Sequence, residues 1–194
     1  MSKSYIDNEL LKTADLLQRS VDSNISSQAL LLAEKITLSL SGGGKVMFAG
    51  NGGSAADAQH MAAEFVNYFS FPREPLSAIA LTTDTSILTS ISNDSDFENV
   101  FSRQVKALGK NDDVLWLYTT SGTSKNILEA AKAGKERGMF VASFVGENFK
   151  GIEQVSDLVI SVPSNQTPKI QEVHLALGHA ISGLVEKAFF EKSE

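Results

Sequence analysis

The stretch Val46–Tyr68, VMFAGNGGSAADAQHMAAEFVNY, constrains the fold more than any other part of the chain. It opens as a short apolar run, breaks at Gly50-Asn51-Gly52-Gly53, and resumes from Ser54 as alanine-rich sequence. That order reads as a strand, a glycine turn and a helix. The first amides of such a helix point outward without partners, at the positive end of the helix dipole, which suits a phosphate. His60 and Glu64 lie four residues apart, so they share one face of the helix. A phosphate cradle and a His/Glu pair on one element point to acid–base chemistry on a phosphorylated substrate.

The rest of the chain repeats this unit. Two helical stripes come first: Ile6, Leu10, Ala14, Leu17 and Val21, opened by a Ser4 cap with Asp7 three residues on, then Ala29, Ala33, Ile36 and Leu40. Ser41-Gly42-Gly43-Gly44 stops the second helix. Strands are predicted at Lys45–Ala49, Leu76–Leu81, Asp113–Tyr118, Phe140–Val145 and Leu158–Val162. Helices are predicted at Ser54–Tyr68, Thr83 to about Ser92, Phe97–Leu108, Ser124–Arg137 and Thr167 to Glu191. The strands are short, β-branched and apolar on both faces, as buried parallel strands are. Alternating βα units predict a three-layer α/β/α sandwich around a five-stranded parallel sheet, with two leading helices. The 194 residues carry no repeat or linker, so 1–194 is read as one domain. Helices within 1–41 would pack on that domain and on a neighbouring subunit.

Ligands in such sheets bind at the carboxyl ends of the strands, and the polar clusters fall there. Asn51-Gly52-Gly53-Ser54 follows the first strand, Thr82-Thr83-Asp84 the second, and Thr119-Thr120-Ser121-Gly122-Thr123-Ser124 the third. The net charge of −6 gives no overall attraction for an anion, so local donors must hold one. Five hydroxyls in six residues at a helix start do that without net charge, whereas a helix cap needs only one. The same charge, with no Lys/Arg run longer than two, argues against nucleic acid. The absence of cysteine removes disulfide and thiolate chemistry. The start has no apolar signal-peptide core and no run approaches about 18 apolar residues, so the expectation is a cytoplasmic protein with no membrane partner.

Gly50-Asn51-Gly52-Gly53-Ser54-Ala55 also fits the dinucleotide fingerprint G-x-G-x-x-A. The fit is poor: Asp84 lies 29 residues past Ala55, and Glu74, 19 residues past, precedes the second strand.

The chain has three histidines: His60, His174 and His179. On the last helix Gln171, Leu175 and His179 advance by about 40° each and form one stripe, with His174 off it. His174 is open between a supporting or interface group and plain core. His60/Glu64 and Gln171/His179 together would supply two imidazoles, a carboxylate and an amide oxygen. That set suits zinc with an exchangeable position, and equally metal-free proton transfer with glutamate as base. A surface i,i+4 pair is the simpler reading of His60/Glu64. Ala56, Met61, Ala62, Ala63 and Phe65 argue against it, because they predict a mostly buried helix where an idle carboxylate is costly.

The segments GNGGSAADAQHMAAE, ISNDSDF, TTSGTS and IQEVHLALGH resemble the bacterial phosphoheptose isomerases of the sugar isomerase (SIS) superfamily, over nearly the whole chain. The resemblance implies a homotetramer of flavodoxin-like SIS domains with active sites at subunit interfaces. It implies interconversion of sedoheptulose 7-phosphate and D-glycero-D-manno-heptose 7-phosphate through an enediol, the first step toward the heptose of lipopolysaccharide or capsule. It gives Glu64 as the base, His179 as its acid/base partner, and His60, Glu64, Gln171 and His179 as ligands of one zinc per subunit. Asn51, Gly52, Gly53, Ser54, Glu64, Asn93, Asp94, Thr119, Thr120, Ser121, Ser124 and Gln171 look like substrate contacts. Thr119 stands where serine is usual and Thr123 where asparagine is common. Phe65-Val66-Asn67-Tyr68 lacks an arginine frequent in relatives, and Arg73 and Lys169 are the candidates to replace it. A similar SIS paralogue binds the replication initiator and is not known as an isomerase. It lacks counterparts of Glu64 and His179, whereas this chain has both, which favours the enzyme; a non-catalytic module sensing sugar phosphate or binding such a partner is the alternative.

Overall fold

The computed structural model describes residues 2–191. Helices α1 (Lys3–Val21) and α2 (Ile25–Ser41) precede strand β1 (Val46–Gly50) and helix α3 (Gly53–Val66). Then come β2 (Ala78–Ala80), α4 (Thr85–Asp94), α5 (Ser102–Leu108), β3 (Val114–Tyr118), α6 (Lys125–Glu136), β4 (Phe140–Gly146), β5 (Leu158–Val162) and α7 (Thr167–Phe190). The five strands are parallel in the order β2-β1-β3-β4-β5. The order reverses between β1 and β3, so the loops after those two strands diverge and open a crevice.

The sheet is covered on both faces. Phe48, Trp116, Tyr118 and Phe144 face Leu32 and Ile36 of α2, Met61 and Phe65 of α3, and Ile181 and Val185 of α7. Met47, Leu115, Leu117, Val141 and Val145 face Val105 of α5 and Ile127, Ala130 and Ala131 of α6. α1 lies outside this sandwich, with Leu16 against Val162, Ile170 and Val173.

The structure corrects several local expectations. β1 and β3 are buried at every residue, but the edge strands are not: Ile79 of β2 is 38% exposed and β5 alternates. Edge strands have a neighbour on one side only, so apolar sequence there does not guarantee two covered faces. Ser4 lies inside α1, and the capping position is Ser2, whose side chain makes no cap bond. The segment predicted as one helix, Phe97–Leu108, divides into a 3-10 turn at Phe97–Asn99 and α5. Asn93 and Asp94, read as loop, end α4 instead.

Candidate active site

The turn between β1 and α3 is the first wall of the site. Gly52 has φ +57, a conformation that glycine alone adopts without strain, and it brings the chain round into α3. The amides of Ser54 and Ala55 fold back onto the carbonyls of Asn51 and Gly52, at 3.0 Å each. A second wall is the loop after β3, where Gly122, at φ +69, turns the chain toward α6. Asn51 and Asn126 tie the two walls together by a reciprocal amide pair, at 2.9 and 2.8 Å. Asn126 is 4% exposed and was missed by the sequence reading, because its partner is 75 residues away.

These walls and the first turn of α7 enclose a cleft of about 290 Å³. Of the residues predicted to touch substrate, Asn51, Gly52, Gly53, Ser54, Thr119, Thr120, Ser124 and Gln171 line it. Tyr118 and Thr167 line it as well and were not anticipated. Thr119 Oγ1 and Tyr118 OH are buried with no hydrogen-bond partner among the described residues. Unpartnered hydroxyls beside a hydroxyl-rich cleft mark a place built for a polar occupant. Ser121 is exposed and outside the lining; its hydroxyl accepts from Thr123 N and Thr123 Oγ1. Asn93 and Asp94 are exposed, pair with each other at 2.7 Å, and do not reach the cleft.

Neither proposed cation reaches the cleft. Lys169 Nζ is held by Thr13 Oγ1, the Glu9 carbonyl and the Glu172 carboxylate. Arg73 is 3% exposed in its side chain and bonded to Glu186. Neither is therefore available to the cleft of its own chain in place of the missing arginine. A long basic side chain looks available in sequence, whereas in the fold its acidic partner has already claimed it.

Farther along α3 and α7 the ionisable groups converge. His60 Nε2 lies 3.0 Å from Glu64 Oε1 and 3.3 Å from His179 Nε2, and ligand atoms of all three lie within 4.8 Å of one another. The rings of His60 and His179 meet edge to face at 5.0 Å. Gly178 allows this approach, because a Cβ there would sit 2.5 Å from Met61 Sδ of α3. Two imidazole nitrogens and one carboxylate oxygen, all metal-ligating atom types, converge there. Tetrahedral ligands at about 2.0–2.1 Å from zinc stand about 3.3 Å apart, close to the spacings of His60 from Glu64 and from His179. The residues fit a divalent cation. Gln171, expected as the fourth ligand, donates from Nε2 to Ser54 Oγ at 3.2 Å and lines the cleft.

The burial expected of α3 is only half met. Ala58, Met61, Ala62 and Phe65 are buried, but Ala56, Ala63 and His60 are exposed, and Glu64 keeps 20% of its side-chain exposure. The His/Glu pair therefore sits at an open rim rather than in the core. Asp57, one turn before His60, is part of the same stripe, a relation its spacing already contained. Burial pushes its carboxyl up to about 6, against the opposing pull of His60. His174 resolves as core: it is 0% exposed, with Nε2 3.2 Å from the Val145 carbonyl.

A parallel sheet of this order, a hydroxyl-lined cleft at its switch point and a His/Glu/His cluster beside it define a sugar-phosphate isomerase of the SIS type, and the SIS domain family matches residues 10–146. The chain is 48% identical over 190 residues to phosphoheptose isomerase of Burkholderia pseudomallei, covering 97% of this chain and 96% of that one. It is 52% identical over 153 residues to phosphoheptose isomerase of Rhodospirillum rubrum, covering 79% and 81%. The solved structure of phosphoheptose isomerase GmhA from Neisseria gonorrhoeae superposes with a TM-score of 0.89 at 38% identity, over 95% of this chain and 98% of that one. The chain belongs to the phosphoheptose isomerase family.

Proposed function

We propose that the protein isomerises sedoheptulose 7-phosphate to D-glycero-D-manno-heptose 7-phosphate. The observation that carries this reading is the separation of cleft and cluster along two shared helices. Ser54 to His60 is six residues and Gln171 to His179 is eight, or roughly 9 and 12 Å at the helical rise. An open-chain seven-carbon sugar phosphate spans roughly 10 Å from phosphorus to C1 on ordinary bond lengths. With phosphate among the hydroxyls and amides of the cleft, C1 and C2 arrive beside His60 and His179, where the Glu64 carboxylate reaches back to within 3.0 Å of His60.

Glu64 takes the proton from C1 of the ketose, leaving a cis-enediol, and returns it to C2 to give the aldose. His179 moves the accompanying proton between the C2 and C1 oxygens. His60, 3.0 Å from Glu64, orients the carboxylate. Zinc, one per subunit, would be held by His60, Glu64 and His179 and would supply charge stabilisation to the enediolate oxygens.

The reading extends to the assembly. Tyr5, Ile6, Leu10, Leu11 and Val21 leave α1 with apolar side chains at least 61% exposed, which supports packing on a neighbouring subunit in a homotetramer. Asn93 and Asp94, exposed and remote from their own cleft, then complete a neighbour's site. No helix among the described residues is long and apolar enough to cross a membrane. The reading is of a cytoplasmic enzyme that feeds heptose to lipopolysaccharide or capsule.

Incubation with sedoheptulose 7-phosphate in D₂O, followed by proton NMR, tests the reading. The expected product is an aldose phosphate with deuterium at C2, lost on chelation and restored by zinc. Glu64→Gln is expected to abolish turnover and keep substrate binding; persistent turnover refutes its role as base. No aldose and no exchange at C1 would favour a non-catalytic sugar-phosphate module.

A further inference from the structure

Arg73 and Glu186 form a buried ion pair that the chemistry above does not use. Their side chains are 3% and 1% exposed, with Arg73 Nε 3.0 Å from Glu186 Oε1. The pair's other hydrogen bonds go to the backbone at the end of α3 and in the loop after it, the carbonyl of Glu74 at 3.0 Å from Arg73 Nη1 included. Arg73 Nη2 donates to the carbonyl of Glu64 itself at 2.8 Å, and Nη1 donates to the carbonyl of Phe65 at 2.7 Å. The Glu186 carboxylate accepts from Phe69 N at 2.8 Å and Ser70 N at 2.7 Å. The Phe69 ring in turn lies against the His179 imidazole, centroids 5.6 Å apart. It is seated on the bare backbone of Gly183, where a Cβ would come within 3.2 Å of the ring.

Burial by itself would raise the Glu186 carboxyl, but the two amides and Arg73 outweigh it and hold it below the usual carboxylate range. Both groups are therefore charged in the interior. Such a pair gains little stability over an apolar pair of the same volume, because desolvation offsets the attraction. What the pair does provide is geometry. The last carbonyls of a helix have no intrahelical partner, and that end frays unless something holds it. A planar guanidinium spans two consecutive carbonyls and a carboxylate at once, which a lysine ammonium does not. Glu186 is two turns past His179 on α7, so the pair joins the end of the helix carrying Glu64 to the helix carrying His179.

We propose that Arg73 and Glu186 are positioning residues that set the approach of Glu64 and His179, Arg73 through the Glu64 carbonyl and Glu186 through the Phe69 ring. The inference rests on the assignment of Glu64 and His179 as the proton-transfer pair. Proton transfer is sensitive to such placement: a displacement of about 1 Å costs up to ~100-fold in rate. The phosphate cleft is built by the loops after β1 and β3 and touches neither residue.

The test is steady-state kinetics on sedoheptulose 7-phosphate with saturating zinc, with rates referred to the folded fraction measured by circular dichroism. Arg73→Lys is expected to lower kcat by ~10- to 100-fold with KM within about twofold of wild type. A lowered melting temperature with unchanged kcat per folded molecule would overturn the proposal, because a purely structural pair behaves that way. Phe69→Leu keeps the ion pair intact and carries the test if Arg73→Lys does not fold. Its expected effect is a fall of several-fold in kcat with the melting temperature little changed, and an unchanged kcat overturns the proposal. Wild-type protein that does not turn over the ketose at all would instead overturn the assignment of Glu64 and His179, and the inference with it.

Discussion

His174 makes the acid stability of this protein calculable. The ring is fully buried between the rings of Tyr118 and Phe144, at 5.8 and 5.5 Å. Its Nε2 donates to the Val145 carbonyl, which leaves Nδ1 as a buried lone pair without a partner. Burial pulls its pKa down from 6.5 to about 4, with the Val145 bond opposing the change. The unfolded chain therefore takes up a proton below about pH 6.5 that the native state refuses until about pH 4. Stability from this group is complete above pH 6.5 and is lost as pH falls toward 4. At about 1.36 kcal/mol per unit, the loss is about 3 kcal/mol, a large share of an ordinary domain's stability. Asp57 acts in the opposite sense, since its carboxyl rises from 3.8 to about 6 and its native form keeps a proton longer than the unfolded chain does. Between about pH 4 and 6 the two slopes offset each other in the wild type. His174→Gln removes one of them. The variant's unfolding free energy should fall with rising pH relative to wild type, the two curves diverging by about 1.4 kcal/mol per unit. The assay is urea unfolding at fixed protein concentration from pH 4.5 to 7, followed by far-ultraviolet circular dichroism. Parallel curves for wild type and variant would refute the reasoning.

Two further outcomes follow from the cleft. Asn51→Ala leaves the buried Asn126 amide without its reciprocal partner and is expected to cost about 1–3 kcal/mol, read as a lowered melting temperature. An unchanged melting temperature would mean that the amide pair contributes nothing to joining the two walls. Gly53→Ala places a Cβ 2.8 Å from both Nε2 and Oε1 of Gln171, so the amide must leave Ser54. Gln171 is flexible, so the expected effect is a raised KM for sugar phosphate with little loss of stability; an unchanged KM would remove Gln171 from substrate binding.

Much of the fold was legible because it is written in local periodicity. The glycine turn at Gly50–Gly53, the strand–helix alternation and the His60/Glu64 spacing depend on residues within a few positions of one another. Expectations failed where a neighbour distant in sequence decided the outcome. Arg73 read as a free cation because Glu186, its partner, is 113 residues on. Gln171 shares a predicted stripe with His179, but the partner its amide takes here, Ser54 Oγ at 3.2 Å, is set by a contact 117 residues away. α3 read as buried because its apolar residues were counted without knowing that sheet and α7 cover only the Ala58–Phe65 face.

The sequence by itself determined most element types, the glycine turns after the strands and the side chains available for acid–base chemistry, because backbone conformation and side-chain chemistry are local properties. Only the tertiary structure decided that β3 lies beside β1, that His179 comes to 3.3 Å from His60 across 119 residues, and that Arg73 serves the backbone of Glu64 rather than the substrate. Those are contacts between surfaces that meet only when the two sides of the sheet are covered, and burial of apolar area, which has no direction along the chain, selects them.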